Sequence, residues 1–290
     1  MKRALAFVVL ALAALVLALI WRAQSPAPGI ASEFDAGPGR APVVVLLGGS
    51  EGGRFRPDHP LVAELGLAGF HVARVAYFGA PGTPAHLDRI ALDPLESHLA
   101  TLAQEERVDA RCIYLAGASK GAELALLLAS GTPSVGAVAA VAPSHVVFQS
   151  SRITPFRWSS WRRGDQRLAF VPYPRDLSAL RGILAGDGYL EMHRRALENP
   201  TATDRAAIPV ERIAGPVLLL GAAQDQVWPS AEMARAAAER LTASEFAHPV
   251  TLRILDTDHY LLDHASARAE VVTFLTATAQ NAGCLPPVMR

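Results

Sequence analysis

Short, almost wholly apolar runs alternate with longer stretches of helical periodicity along most of this sequence. The apolar runs favour β-strands and lie at 43–47, 70–76, 112–116, 135–141, 217–220 and 250–255. The stretches of helical periodicity lie at 60–67, 94–106, 120–130, 230–241 and 265–278. Strands that are apolar along their whole length are typical of a parallel sheet covered by helices on both faces. The sequence therefore predicts an α/β fold with a mostly parallel, doubly wound sheet.

Composition and charge exclude several other classes of protein. A chain of 290 residues with 51% hydrophobic residues is long and apolar enough to bury a substantial core. Its 27 Lys and Arg balance 27 Asp and Glu, so we expect no nucleic-acid partner, since such a protein needs a basic face. The two cysteines, Cys112 and Cys284, have no metal-ligand or redox spacing, and we interpret both as structural. The sequence predicts no metal site and no cofactor.

The chain begins with a hydrophobic segment. Lys2 and Arg3 precede an apolar run at 4–20, which as a helix spans roughly 25 Å, near the lower limit for crossing a bilayer. Prolines follow the small residues at which a signal peptidase would cut, and this disfavours cleavage. The sequence predicts a membrane anchor or signal segment at 1–22, with the anchor favoured. The remaining chain is then expected on the extracytoplasmic side, or secreted if the segment is cleaved.

Three further regions follow the hydrophobic segment. Residues 23–42 are rich in Pro, Gly, Ala and Ser and are predicted to form a linker. A single large α/β domain is predicted over 43–281, with a short tail at 282–290. Residues from about 144 to 208 break the alternation of strands and helices, and an insertion at this position lies over the ligand crevice of a parallel sheet, so we expect a cap there. Asp93, directly before a proline, is expected to cap the second helix.

The motif Gly117-Ala118-Ser119-Lys120-Gly121 lies between a predicted strand and a predicted helix. A nucleophile elbow requires this strand, turn and helix, because its glycines let neighbouring backbones approach while the serine takes a strained conformation that exposes its hydroxyl. A glycine-rich turn that closes a helix is the alternative. In its context the motif indicates that Ser119 is a catalytic nucleophile.

A nucleophilic serine needs a histidine base and an acid that orients the base. In hydrolases with this elbow the acid and then the histidine follow the serine, each on a loop after a later strand. Asp225 and His259 each follow a later predicted strand and fit this order. Asp256 and Asp258 are rival acids, but they are close in sequence to His259 and would reach its far ring nitrogen with difficulty. We therefore predict a triad of Ser119, Asp225 and His259.

Acyl transfer also requires hydrogen-bond donors for an oxyanion. The backbone N–H of Lys120, directly after the nucleophile, is one expected donor. We expect the second to be the backbone N–H of Ser50, in the glycine-rich loop at 48–53 after the first strand of the domain. Gly48 and Gly49 allow that backbone to approach a bound substrate closely. A phosphate cradle is the alternative for such a loop, but no Gly-Lys-Ser or Gly-Lys-Thr follows it.

The predicted cap is basic and aromatic. Six arginines and one acidic residue fall between 150 and 175, together with Phe156, Trp158 and Trp161. Arginine side chains bind phosphate oxygens and aromatic rings stack on nucleotide bases, so Trp158 and Arg162 are candidate substrate-binding residues. The alternatives are a solvated basic surface or one that rests near anionic lipid headgroups.

Five strings of residues carry more information than the elbow alone. They are Val75-Ala76-Tyr77-Phe78, Ser119-Lys120-Gly121-Ala122-Glu123-Leu124, Ile208-Pro209-Val210-Glu211-Arg212, Asp225-Gln226-Val227-Trp228 and His259-Tyr260. Together, over about 43–275, they resemble the catalytic domain of acyl-CoA thioesterases and of bile acid-CoA:amino acid N-acyltransferases. The resemblance implies an α/β-hydrolase fold, the triad named above and hydrolysis of acyl-CoA thioesters.

Three features differ from the usual pattern of that family. Its members commonly carry an amino-terminal β-sandwich domain, whereas a hydrophobic segment and a linker precede the domain here. The residue before the histidine is usually glycine and is Asp258 in this chain. The chain is also predicted to be exported, and coenzyme A is not expected outside the cytoplasm. Within the family, conjugating members tend to use cysteine, whereas an oxygen ester on Ser119 is more naturally resolved by water, which favours hydrolysis over conjugation.

We therefore expect a serine hydrolase that cleaves small-molecule acyl thioesters of the acyl-CoA type and associates with a membrane through its amino-terminal segment. Two alternatives stay open at this point. One is an exported carboxylesterase with an unknown substrate. The other is a membrane-anchored binding module that keeps the fold without turnover.

Overall fold

The fold is described by a computed structural model of residues 29–152, 156–176 and 188–287. Its strands are β1 (Ala31–Asp35), β2 (Ala41–Leu47), β3 (His71–Ala76), β4 (Ile90–Ala91), β5 (Val108–Ala118), β6 (Val135–Val141), β7 (Trp161–Arg163), β8 (Gln166–Arg167), β9 (Val217–Ala222) and β10 (Val250–Leu255). Seven of them form one sheet in the order β1-β3-β2-β5-β6-β9-β10, and β4, β7 and β8 form a second, small sheet. Neighbouring strands of the large sheet are parallel except β1 and β3. The prediction of a mostly parallel sheet is therefore confirmed.

Helices cover both faces of the large sheet. They are α1 (Pro60–Leu67), α2 (Asp93–Leu102), α3 (Lys120–Gly131), α4 (Tyr189–Leu197), α5 (Pro200–Ala206), α6 (Ser230–Ala243) and α7 (Ala265–Asn281). Alternate residues of a strand point to opposite faces, so Val43, Val45 and Leu47 of β2 pack in the layer of α2, α3 and α6. Val44 and Leu46 pack in the layer of α1 and α7. The sheet is doubly wound because both of its faces are apolar.

Strand β1 lies inside the segment that the sequence predicts to be a linker. Its residues, Ala-Ser-Glu-Phe-Asp, are too polar to resemble the buried strands. It forms an edge strand because Glu33 and Asp35 pair with Arg74 of β3, at 2.7 and 2.8 Å, and Phe34 packs edge-on against His71. The side chain of Arg74 is buried, so these two acids neutralise a charge that has left water. Part of the predicted linker is thus an element of the sheet.

The predicted cap lies between β6 and β9. It contains the β7–β8 hairpin and the helices α4 and α5, and β7 pairs in parallel with β4.

The sequence predicts that Asp93 caps α2, and this prediction is wrong, since its side chain makes no capping hydrogen bond to that helix. Its carboxylate instead accepts the backbone N–H of Gly164, at 2.8 and 3.1 Å. Asp93 therefore ties the hairpin of the cap to the start of α2.

A disulfide bond joins Cys112 of β5 to Cys284, across 172 positions of sequence. The sequence predicts a structural role for each cysteine but not their pairing. The bond holds the chain after α7 against β5, and Leu285 packs on the same apolar layer. The described part of the predicted tail, residues 282–287, is therefore fastened to the core.

The hydrophobic segment predicted at 1–22 lies outside the described residues. Among residues 29–152, 156–176 and 188–287, no helix is both long and apolar enough to span a bilayer. The longest helix of that part of the chain, α7, has 17 residues and packs one side on the sheet.

Candidate active site

Ser119 occupies the tight turn between β5 and α3. A Cβ atom on Gly117 would lie 2.1 Å from the carbonyl oxygen of Gly121, and one on Gly121 would lie 2.1 Å from that of Leu47. Only glycine fits at both positions, so β5, α3 and β2 pack backbone to backbone. Ser119 has φ 54° and ψ −120°, a conformation that costs a residue other than glycine on the order of 1–3 kcal/mol. The strand, turn and helix expected of a nucleophile elbow are present.

The hydroxyl of Ser119, the imidazole of His259 and the carboxylate of Asp225 form one chain of hydrogen bonds. Oγ of Ser119 lies 2.9 Å from Nε2 of His259, and Nδ1 of His259 lies 2.8 Å from Oδ2 of Asp225. Because an ionised carboxylate only accepts, Nδ1 carries a proton and Nε2 is left to accept the proton of Ser119. The structure thus brings together the three residues that the sequence predicts as nucleophile, base and acid.

All three side chains lie at the carboxyl ends of parallel strands. Ser119 follows β5, Asp225 follows β9 and His259 follows β10, and these strand ends lie along one edge of the sheet. Ser119 and His259 are 140 positions apart in sequence. The packing of the strands therefore assembles the site, and local preferences of the chain do not.

The carboxylate of Asp225 is held at both of its oxygens. Oδ1 accepts the backbone N–H groups of Val227 and Trp228, at 2.9 and 3.1 Å. Oδ2 accepts Nδ1–H of His259 and also the hydroxyl of Ser230, at 2.6 Å. Burial acts to raise the pKa of Asp225, but the hydrogen bonds from His259, Ser230 and the backbone outweigh it and lower the pKa below its ordinary value. The acid is therefore ionised at neutral pH.

The imidazole of His259 has an inner and an outer neighbour. The indole ring of Trp228 meets it edge-on, at 6.0 Å between ring centres, and the ring of Tyr260 meets it at 5.5 Å. Trp228 is 2% exposed whereas Tyr260 is 59% exposed. Trp228 therefore forms an interior wall beside His259, and Tyr260 lies at the solvent side of that ring.

In the part of the chain that the structure describes, neither rival acid binds the imidazole of His259. Asp256 accepts a hydrogen bond from the side-chain amide of Gln224, at 2.7 Å. Asp258 accepts the backbone N–H of Tyr260, at 3.0 Å. Oδ1 of Asp258 also lies 3.5 Å from Nε2 of His264, so this carboxylate is engaged by its own loop and by the residue just before α7.

The glycine-rich loop after β2 lies beside the elbow. A Cβ atom on Gly121 would be 2.4 Å from the carbonyl oxygen of Gly48, which also accepts the hydroxyl of Tyr77 at 2.6 Å. The backbone N–H of Gly49 donates to Oε1 of Glu51, at 3.0 Å. Gly48 and Gly49 are thus engaged within the loop and its surroundings rather than open to a ligand.

The two predicted oxyanion donors are the backbone N–H groups of Lys120 and Ser50. That of Lys120 is the first of α3 and has no acceptor within the helix. That of Ser50 has no acceptor among the described residues. Both groups are therefore available, and they lie on the two backbone segments that pack together at the elbow.

A buried ion pair between Lys120 and Glu123 lies in the first turn of α3. Nζ of Lys120 is 2.9 Å from both carboxylate oxygens of Glu123. Oε1 of Glu123 also accepts the indole N–H of Trp161, at 2.6 Å, and the backbone N–H of Phe148, at 3.3 Å. Burial lowers the pKa of Lys120 and raises that of Glu123, and their mutual attraction and hydrogen bonds oppose both shifts. Because Phe148 and Trp161 belong to the cap, this pair fastens the cap to the helix after Ser119.

Trp158 and Arg162, the candidate substrate-binding residues of the cap, lie in a cluster of arginines. The guanidinium carbons of Arg89 and Arg167 lie 4.5 and 4.6 Å from the centre of a Trp158 ring. Nε of Arg162 donates to the carbonyl of Arg89 at 3.2 Å, and its Nη1 donates to a carbonyl in the β7–β8 turn at 2.5 Å. None of their contacts within the described residues reaches Ser119. The structure therefore places both residues in the cap without bringing them to Ser119.

An aromatic cluster that the sequence pattern does not reveal packs behind His259. Trp228 lies 5.9 Å from the ring centre of Phe148 and 5.8 Å from that of His193, and Tyr173 stacks on Phe148. Nδ1–H of His193 donates to the carbonyl of Tyr189, at 2.7 Å. Burial lowers the pKa of His193 to about 4, so its ring is neutral at neutral pH. The cluster connects the cap to the wall of His259.

A mostly parallel sheet, a nucleophile elbow after β5, and an acid and a histidine after later strands define the α/β-hydrolase class. Solved structures share this fold. The chain matches the 2,6-dihydroxy-pseudo-oxynicotine hydrolase with a TM-score of 0.55 and 17% identity, over 90% of this chain and 67% of that one. It matches the monoacylglycerol lipase of Paleococcus ferrophilus with a TM-score of 0.52 and 17% identity, over 86% of this chain and 99% of that one. The α/β-hydrolase fold expected from the sequence is therefore confirmed.

Within that class the chain belongs to the family described as BAAT / Acyl-CoA thioester hydrolase C terminal, whose model matches residues 90–263. It is 26% identical over 231 residues to the peroxisomal succinyl-coenzyme A thioesterase of Mus musculus. It is 29% identical over 228 residues to acyl-coenzyme A thioesterase 6 of Mus musculus. These matches cover 78% and 77% of this chain, and 50% and 49% of the relatives. The chain thus spans about half the length of these curated relatives.

Proposed function

We propose that this chain is a serine hydrolase that cleaves the thioester bond of acyl-CoA-type substrates through an acyl-enzyme. The observation that carries the proposal is the hydrogen-bond chain from Ser119 through His259 to Asp225 at a nucleophile elbow. The family supports a thioester substrate, since its description and the names of the curated relatives refer to acyl-CoA thioesters. Ser119 is the nucleophile, His259 the general base and acid, and Asp225 the residue that orients the imidazole.

The first half-reaction transfers the acyl group to Ser119. Nε2 of His259 takes the hydroxyl proton while Oγ attacks the carbonyl carbon. The carbonyl oxygen becomes an oxyanion, which the backbone N–H groups of Lys120 and Ser50 stabilise, and the positive end of α3 adds to this effect. The carbon–sulfur bond then breaks, and the imidazolium returns its proton to the departing sulfur. The products are a free thiol and an ester on Oγ.

The second half-reaction regenerates the enzyme with water. Nε2 of His259 takes a proton from water as the water oxygen attacks the ester carbonyl, and the same N–H groups stabilise the oxyanion. The bond between the acyl carbon and Oγ of Ser119 breaks, Oγ takes the proton from the imidazolium, and the carboxylic acid leaves. Asp225 remains ionised throughout and offsets the positive charge on the imidazolium.

A carboxylesterase is the second candidate, since the same three side chains would cleave an oxygen ester. The hydrophobic segment predicted at 1–22 favours it, because a segment of this kind predicts export and coenzyme A is not expected outside the cytoplasm. In this candidate the substrate is a small-molecule ester, and the steps at Ser119 and His259 are unchanged.

The location of the chain is part of the proposal. Residues 1–22 anchor it in a membrane, a linker leads to β1, and the hydrolase domain lies on the extracytoplasmic side. The disulfide between Cys112 and Cys284 supports this location, because disulfides persist in oxidising compartments and are rare in the cytosol. Fractionation and protease protection of the full chain test it. Recovery in the cytosol with both thiols free would contradict it.

The activity is tested with the full chain and its Ser119→Ala variant. A fluorophosphonate probe should label the wild type and leave the variant unlabelled. Thiol release from an acyl-CoA should fall about 10⁴-fold or more in the variant, since the nucleophile is lost. Ser244→Ala is the matched control, because it removes a hydroxyl at the far end of α6 and should behave as the wild type.

The same preparation separates the candidate functions. A higher kcat/KM for long-chain acyl-CoA than for p-nitrophenyl esters supports the thioesterase, and the reverse order supports the carboxylesterase. Full labelling of Ser119→Ala would remove Ser119 as the nucleophile. A folded wild type that neither reacts with the probe nor turns over either substrate would indicate a binding module.

A further inference from the structure

We infer that Ser230 is a positioning residue of this site, acting through a hydroxyl that binds the acid Asp225. Oγ of Ser230 lies 2.6 Å from Oδ2 of Asp225, the same oxygen that accepts Nδ1–H of His259. The hydrogen-bond chain that begins at Ser119 therefore extends past the carboxylate to a second serine. This inference rests on the proposed function, because it gives Ser230 a part in activating Ser119.

The neighbours of Ser230 determine the direction of its hydroxyl. The backbone N–H of Ala222 donates to Oγ of Ser230, at 3.1 Å, and an N–H group can only donate. The ionised carboxylate of Asp225 can only accept, so the Ser230 proton points at Oδ2. Ser230 is fully buried, so bulk water does not compete for this proton. The hydroxyl is thus a fixed donor to the acid.

Ser230 also connects the two ends of the loop that carries the acid. Ala222 is the last residue of β9 and Ser230 is the first residue of α6, with Asp225 between them. The backbone N–H groups of Val227 and Trp228 hold the other carboxylate oxygen, so the carboxylate keeps its orientation without Ser230. The distinct contribution of Ser230 is therefore to share the negative charge on Oδ2 with His259.

This sharing has a consequence for the base. A carboxylate oxygen that loses one of its two donors binds the remaining proton more strongly, so the imidazolium of His259 becomes easier to form. Removal of the Ser230 hydroxyl should move the acid limb of the kcat/KM profile to higher pH, with little effect on KM.

Other titratable groups face this pair, and all stay in place in the variants. His193 faces it from the cap and is neutral because of burial. Asp258 and Tyr260 lie beside His259 in its own loop. The Lys120–Glu123 pair of α3 lies further inside the protein. A change of pH profile on substitution of Ser230 alone is therefore assigned to its hydroxyl.

The experiment compares Ser230→Thr, Ser230→Val and Ser230→Ala in the full chain. Threonine and valine have the same shape and differ in the hydroxyl, so packing damage affects both and loss of the donor affects valine alone. We expect the threonine variant to keep the wild-type pH profile. In the valine and alanine variants, kcat/KM on the acid limb should fall roughly tenfold. Ser244→Ala should leave the profile unchanged.

A second measurement keeps the inference testable if the valine variant does not fold. In Ser230→Ala, the smallest change, the low-field NMR resonance of the Nδ1 proton of His259 should move further downfield, because its hydrogen bond to Asp225 strengthens. A wild-type profile and resonance in Ser230→Ala, or equal losses in the threonine and valine variants, would overturn this inference alone. A folded wild type without labelling or turnover would overturn the proposed function together with it.

Discussion

The indole N–H of Trp161 donates to a carboxylate oxygen of Glu123 at 2.6 Å, and this contact joins the cap to the helix that begins after Ser119. Both side chains are fully buried. Glu123 also binds the ammonium group of Lys120 through both oxygens. The cap is therefore held on the core by a charged group that has several donors and no access to water.

Glu123→Gln should destabilise the protein by about 3–5 kcal/mol, because it leaves the buried ammonium group of Lys120 without a counter-charge. A double variant that adds Lys120→Met removes both charges and should lose less than the single variant. Urea unfolding followed by tryptophan fluorescence measures the two free energies. A double variant less stable than the single one would show that the ion pair is not the source of the loss.

Trp228→Ala should lower kcat roughly tenfold or more, because the ring that holds His259 edge-on is lost and the imidazole gains freedom. Trp228→Phe should stay within about threefold of the wild type, since it keeps a ring edge. The indole N–H of Trp228 has no acceptor among the described residues, so its loss costs little. Steady-state kinetics measure both variants. A phenylalanine variant as slow as the alanine one would contradict a role for ring packing.

Gly121→Ala should prevent folding or lower the melting temperature strongly, because its Cβ would lie 2.1 Å from the carbonyl oxygen of Leu47. Gly66→Ala is the matched control, since Gly66 lies in α1 with nothing within 4 Å of a Cβ atom. Alanine in an open helical position is expected to be neutral or stabilising by up to about 1 kcal/mol. Thermal unfolding of both variants makes the comparison, and equal melting temperatures would be inconsistent with the close approach at the elbow.

His193→Phe should flatten the pH dependence of stability between about pH 4 and pH 6.5. Burial lowers the pKa of His193 to about 4, whereas an unfolded chain has a value of about 6.5. The unfolded chain therefore binds the proton first as the pH falls, so stability is full above about pH 6.5 and is lost towards pH 4. The loss at this residue is about 2 kcal/mol by pH 5.

Urea unfolding at pH 7 and pH 5 tests the prediction for His193. The wild type should lose more stability than the variant over that interval. The slope with pH is the relevant quantity, because the phenylalanine also changes the packing against Phe148 and Trp228. A variant with the wild-type slope would show that His193 does not titrate on unfolding.

Cys284→Ser should lower the stability by about 2–5 kcal/mol, because the bond to Cys112 constrains a long loop of the unfolded chain. Their separation of 172 positions places this disulfide among those that restrict the unfolded chain strongly. The wild type in reductant should lose a similar amount, and the variant should not respond to reductant. A wild-type melting temperature that is unchanged by reductant would argue against a stabilising bond.

Several elements could be predicted from the sequence to the residue. The bounds of β6, β10 and α1 coincide with the predicted ranges 135–141, 250–255 and 60–67, because their apolar patterns are local and end at turn residues. Strand β1 could not be predicted in this way. Its polar residues form a strand only because a buried arginine of β3, which is distant in sequence, pairs with them.

Some parts of the site could not be predicted from the sequence either. The order of Ser119, Asp225 and His259 along the chain was readable, since each follows an apolar run. Nothing in the sequence pattern marks Ser230 as a neighbour of Asp225, or Trp228 as a neighbour of His259. Glu123 had a usable signal, because it is an acidic residue within a helix whose other residues from 121 to 129 are apolar or small and buried. Such a residue needs an internal partner.

The class of sheet, the elbow around Ser119 and the candidate acid and base can all be predicted from the linear order of residues, because periodicity and turn chemistry depend on residues close together in the chain. The contacts between distant groups depend on the three-dimensional packing. The distances from Ser119 to His259, from Ser230 to Asp225 and from Cys112 to Cys284 are set by how the strands and helices pack, and a linear pattern contains no information about that packing.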